Sequence, residues 1–249
     1  MTATLHSSQH TAAKVAGWSC LLTMVIAVLA NYGLFNPLIV RGNAAATAQN
    51  IVAHETQFRA AATLFLTYSA GSVIFLAALY VILKPINPGL ALVGALFRLV
   101  YASLWLVTSI NMFGALRMLS GAGFLQGFEP DRLQILSRLQ LAANFDAYYV
   151  GLPFFALAAT VSSYLFLKSN FIPRGLSWFG FISSAWCVFC AFVYLIFPGF
   201  AKPVNPYWFD SPMALFEMAL SFWLLFKGLK QPAAIDPVPA ERFAPGQTI

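Results

Sequence analysis

Residues 60–84 read AAATLFLTYSAGSVIFLAALYVILK. No charged side chain interrupts the run from Ala60 to Leu83, and Lys84 closes it. A helix of that length, rising about 1.5 Å per residue, crosses the roughly 30 Å hydrocarbon core of a bilayer. Its last residues recur. Tyr80-Val81-Ile82-Leu83-Lys84 is echoed by Tyr164-Leu165-Phe166-Leu167-Lys168 and by Trp223-Leu224-Leu225-Phe226-Lys227. Aromatic rings settle at the headgroup level and a lysine stem reaches past them to water. The three endings therefore mark three helices descending to one membrane face. An ancestral helix-hairpin repeat is the other reading of the echo.

Composition carries the same message to the whole chain. Of 249 residues, 60% are hydrophobic and 9% are charged. Soluble domains carry about 25% charged residues, and so few charges could not cover a water-facing surface. Mean hydropathy is +0.75. The fold class is thus all-α, a polytopic bundle of six transmembrane helices, with spans at about 15–35, 60–83, 90–112, 141–167, 175–197 and 213–226. Residues 1–13 read as a polar cytoplasmic tail, 14–230 as the transmembrane domain, and 231–249 as a disordered, proline-rich cytoplasmic tail. A signal peptide competes for the first span, but the apolar run continues to Val40 and favours a retained helix. Residues 41–58 read as an external loop with a short interfacial helix. Two further external loops fall at 120–135 and 201–212, and Pro153 is placed to kink the fourth span.

Orientation rests on basic residues near the span ends. With the N-terminus inside, Lys14, Lys84, Lys168, Arg174, Lys227, Lys230 and Arg242 are internal; Arg41, Arg59, Arg117, Arg132, Arg138 and Lys202 are external. Five of the six lysines fall inside, as do the short turns at 84–88 and 168–174, so the reading is N-in, C-in. The net charge of +6 then belongs to headgroup contacts, with membrane lipids as partners and no nucleic acid.

The lysines also serve as a depth ruler. Glu217 lies ten residues before Lys227, and Arg98 ten residues after Pro88. Both come out about 15 Å deep, near the midplane. A lone charge there costs about 2.5–3.5 kcal/mol, so the two are expected to be neighbours, a buried ion pair. The pair either fixes helix register or polarises a ligand and handles protons. Asp146 and Asn111 come out about 33 and 35 Å from the lysine face, at the opposite boundary. Arg59, Asn144, Tyr148 and Tyr149 fall near the same level. An outer polar pocket lined by Arg59, Asn111, Asp146 and Tyr149 is one reading; ordinary interfacial solvation is the other, with the tyrosines as belt aromatics.

Other chemistry finds little support. The three histidines, His6, His10 and His54, lie outside the apolar spans, so a haem held by paired imidazoles within the membrane has no ligands, nor has a histidine-lined zinc site. His54-Glu55 is a weak metal signal, and no metal or other cofactor is expected. Cys187 and Cys190 form a CxxC inside an apolar span, without the exposed helix N-terminus a redox pair needs. No phosphate loop, serine elbow or His-Glu-x-x-His motif occurs.

Several short motifs carry a resemblance. Phe58-Arg59 opens the second helix and Arg98 lies in the third. Ser169-Asn170-Phe171-Ile172-Pro173-Arg174-Gly175 follows the fourth. The sixth holds Pro212-Met213-Ala214-Leu215-Phe216-Glu217 and then Phe222-Trp223-Leu224-Leu225-Phe226-Lys227-Gly228. Over about residues 14–229 the chain resembles the bacterial membrane family called domain of unknown function 4386. The resemblance implies a six-helix-type membrane domain, implies no activity, and adds weight to Arg98 and Glu217, which fall on its motif positions.

The leading functional expectation is a non-catalytic module of the bacterial inner membrane that binds a lipophilic molecule or a membrane partner. The alternative is a membrane-embedded enzyme, of acid/base isomerase or cyclase type, acting on a lipid or isoprenoid-like substrate. Glu217 would then be the catalytic acid or base, and Asp146 a second carboxylate. A secondary transporter is the third reading.

Overall fold

The computed structural model describes residues 7–121 and 123–230. The tail read at 231–249 lies outside them, as do residues 1–6. Among the described residues the chain is all-helical, with seven α-helices. They are α1 (Ser7–Val28), α2 (Ala44–Ala53), α3 (Glu55–Leu83), α4 (Pro88–Leu119), α5 (Pro130–Ser169), α6 (Arg174–Ile196) and α7 (Tyr207–Phe226). Helix α1 continues through a π-helical stretch, Leu29–Phe35, and a 3-10 turn, Asn36–Leu38. With that continuation, every helix except α2 is long and apolar enough to cross a membrane, six in all. This is the pattern of a multi-pass membrane protein. Exposed side chains such as Ile110, Ile182, Ile196 and Phe226 stand on the outside of the bundle, where lipid and not water is their natural solvent.

Local chemistry sets the helix ends. The Asn87 side chain accepts a hydrogen bond from the Leu90 amide and Pro88 takes the first helical position, so the tight turn after α3 is also the cap of α4. Asn170 adopts the left-handed conformation, φ 55°, and ends α5. Asn43 caps α2 by accepting from the Ala46 amide.

Three boundaries differ from the sequence expectation. Helix α1 starts at Ser7, inside the stretch read as a polar tail. Gln9 is buried and donates to the Ile82 carbonyl at the end of α3, so tertiary contact carries the helix into polar sequence. Helix α5 starts at Pro130, inside a stretch read as loop, because proline suits a first helical turn. Helix α7 starts at Tyr207, also inside a stretch read as loop. The Asn205 side chain accepts from the Tyr207 amide just after Pro206 and begins it. Pro153 sits within α5, which runs through it.

The six long helices close into a ring in chain order. Helix α1 packs on α3, α3 on α4, α4 on α5, α5 on α6, α6 on α7, and α7 back on α1. Small residues permit the closest approaches. A Cβ on Gly17 would stand 2.9 Å from the Ser221 carbonyl oxygen, and one on Gly151 2.9 Å from Leu104. Helix α1 thus lies directly on α7, and α5 on α4. The interior holds three apolar clusters. One, with Phe75, Phe166, Phe171 and Phe216, fills the end marked by Lys84, Lys168 and Lys227. The other two, built around Phe58 and Phe65 and around Phe155 and Phe209, fill the opposite half.

Candidate functional site

Arg98 of α4 and Glu217 of α7 meet in the middle of the ring. Arg98 Nη1 donates to Glu217 Oε1 at 2.5 Å and Nη2 donates to Oε2 at 3.2 Å. Each residue is 5% exposed. Helices α4 and α7 are not neighbours in the ring, so the pair is a brace between opposite walls. The guanidinium also lies between two rings, 4.8 Å from the centroid of Phe75 on α3 and 4.5 Å from that of Phe155 on α5. Cation–π attraction strengthens when the charge is desolvated. Four helices thus fix one side chain. The Glu217 backbone carbonyl accepts from Ser221 Oγ at 2.7 Å, with Cys20 Sγ 3.9 Å away.

One donor of this centre is unused: Arg98 Nε is buried and has no hydrogen-bond partner. A buried donor left unsatisfied costs about 1–3 kcal/mol. Arg98 and Glu217 also line a cleft between α3, α4, α5 and α7. The other lining residues include Leu83, Ala91, Gly94, Ala158 and Ser162, and by helix register most lie between the level of the pair and the lysine-marked end. The cleft is therefore apolar along its walls and charged at its deep end.

The residues read as an outer pocket do not form one. Arg59 turns back along its own helix to Glu55, 2.6 Å away and exposed. Asn111 is buried, donating to Asn144 Oδ1 at 3.1 Å and accepting from Gln140 Nε2 at 2.8 Å. Asp146 is exposed on the outer surface of α5. Helix phase is the reason. Asn144 faces α4, and a residue two positions on points about 200° away. Tyr149 packs against Tyr148 and Tyr194, with centroids 5.2 and 4.5 Å apart.

A different acid occupies that end of the bundle. Tyr148, one turn after Asn144 and on the same face, donates to Asp210 Oδ2 at 2.5 Å. Sequence reasoning missed Asp210 because it placed 201–212 in a loop. The Asn205-Pro206 pair is a helix-start signal and could have put Asp210 in the first turn of α7. Cys20, Cys187 and Cys190 are buried free thiols. Among the described residues, no three His, Cys, Asp or Glu side chains come together as a metal site.

The family described as Domain of unknown function (DUF4386) matches residues 15–228. An uncharacterized protein of Archaeoglobus fulgidus is similar to the chain, 24% identical over 153 residues, which are 61% of this chain and 74% of the relative. No solved structure matches.

Proposed function

The chain belongs to the DUF4386 family, and from that premise we propose that it is a non-catalytic module of the bacterial cytoplasmic membrane, oriented N-in and C-in, that holds a lipophilic molecule in the cleft ending at Arg98 and Glu217. The cleft lining carries this reading: the walls are apolar, and the Arg98–Glu217 pair lies at one end. An apolar chain along those walls would set its polar end at the pair. Burial of the chain supplies about 25 cal/mol per Å² of apolar surface. The binding reading leads over the acid–base enzyme because both Glu217 oxygens are engaged by Arg98 and no second carboxylate stands among the cleft's lining residues.

The test is mass spectrometry of small molecules retained by the purified protein, with Ala95→Phe as the comparison. Ala95 is half-buried on the cleft wall, so the larger ring fills the space. An amphipathic species retained in stoichiometric amount by the native chain and absent from A95F is the expected result. Equal retention by both proteins, or retention by neither, would overturn the proposal.

A further inference from the structure

At the end of the bundle opposite Lys84, Lys168 and Lys227, the carboxylate of Asp210 stands without a cation. No lysine, arginine or histidine pairs with it among the described residues. Its side-chain partner is the Tyr148 hydroxyl, and it is only half-buried. The groups around it are aromatic. Tyr149 and Tyr194 pack at a tilt of 43° with centroids 4.5 Å apart, and Tyr148 stands edge-on to Tyr149 at 5.2 Å. Tyr32 and Tyr149 lie within electrostatic range of the carboxylate, and Tyr207 lies within range of both tyrosines. These side chains come from four separate parts of the chain: the π-helical stretch after α1, α5, α6 and α7. The Trp186 indole, donating to the Trp208 carbonyl at 3.0 Å, ties α6 to the first turn of α7 beside Asp210. The outer rim is open, with Tyr32, Tyr207 and Trp208 each more than half exposed.

We propose that this tyrosine-ringed carboxylate is a binding site for an alkylammonium group, primary or quaternary. The chemistry is that of an aromatic cage. Ring faces present negative quadrupole potential to a weakly hydrated cation, and one carboxylate supplies the opposite charge. At the membrane boundary the cation can arrive as the amine headgroup of a lipid or as a free amine in water. This site shares no residue with the lining of the Arg98 cleft and does not depend on the reading given to that cleft. An ordinary interfacial belt would also be rich in tyrosine and tryptophan. A belt, however, has no preference for a charged over a neutral ligand of equal shape, and that difference is measurable.

The purified full chain, in detergent free of amine lipids, is titrated with choline chloride and with 3,3-dimethylbutanol, its neutral isostere, reading the thermal unfolding midpoint. Choline is expected to raise the midpoint saturably and the alcohol is not. Asp210→Asn should weaken the choline response at least tenfold. Tyr149→Leu should weaken it as well, and Tyr149→Phe, which keeps the ring face, should retain it; this pair tests the cage even if D210N folds poorly. A second arm exposes the protein to mixed micelles of phosphatidylethanolamine or phosphatidylglycerol and counts retained lipids by native mass spectrometry. Selective retention of phosphatidylethanolamine, lost in D210N, with no response to choline would identify the lipid headgroup as the source of the ammonium. Equal responses to choline and dimethylbutanol, or responses indifferent to both D210N and Y149L, would overturn the proposal. So would the absence of binding in both arms.

Discussion

Arg98 and Glu217 each depend on the other. The buried guanidinium is held by two hydrogen bonds and two aromatic faces. Deleting one partner leaves the other charge uncompensated in an apolar interior, at a cost of about 3–5 kcal/mol. Replacing both by apolar residues of similar volume removes the desolvation cost together with the attraction. Glu217→Leu and Arg98→Met should therefore each lower stability strongly, and the two together should be less damaging than the sum of the two. Thermal unfolding of the four proteins in one detergent closes the cycle; additive losses would mean that the pair is not coupled. Arg98→Lys should also lose stability, because an ammonium cannot make the two-pronged contact or stack between Phe75 and Phe155. That Arg98 and Glu217 share one level of the bundle was legible in the sequence from their spacing to Lys227 and Pro88. The unpaired Nε was not, since it depends on the angle at which one guanidinium meets one carboxylate. Asp146 teaches the complementary lesson: counting residues gives a level along the helix, while its outward direction follows from the phase of α5, which hydrophobic runs do not reveal.

At the scale of elements, what could be read was where the apolar runs lie, and what could not was where polar sequence goes on being helical. The lysine endings of α3, α5 and α7 mark real ends because a charged residue and a turn coincide there. The start of α1 was hidden because Gln9 looks solvated until the Ile82 carbonyl is brought beside it. The start of α7 was hidden because aromatic and proline residues around 201–212 resemble a loop. Two consequences can be measured. Asn87→Ala removes the side-chain acceptor for the Leu90 amide and should cost about 0.5–2 kcal/mol, seen as a modest fall in the unfolding midpoint. Gly17→Val inserts a branched side chain where a Cβ already stands 2.9 Å from the Ser221 carbonyl oxygen, so it should separate α1 from α7 and destabilise by more than the cap variant.

For the whole molecule, the ring explains why one ion pair matters. Each long helix leans on its two chain neighbours, and the apolar clusters fill the interior between them. Arg98 and Glu217 add a charged crossing between the opposite walls α4 and α7, and the cleft reaches as far as that crossing. The ring also constrains topology. Six crossings, with α1 antiparallel to α7, put Ser7 and Lys230 at one end of the bundle, together with the turns at 84–88 and 169–174. The proposed orientation sets that end in the cytoplasm, on the strength of the lysines gathered there. Labelling checks it. In a background where Cys20, Cys187 and Cys190 are replaced by alanine, Asn87→Cys in the turn before α4 should react with a membrane-impermeant maleimide only after cells are opened. Asn43→Cys, ahead of α2 at the other end, should react in intact cells. The opposite pattern would invert the orientation and turn the mouth of the Arg98 cleft to the outside. Labelling of both sites from one side would break the six-crossing topology itself. The expected pattern makes the cleft a pocket fed from the cytoplasmic leaflet and places Asp210 and its tyrosines at the outer leaflet, so the two sites would draw on different lipids and on different sides of one membrane.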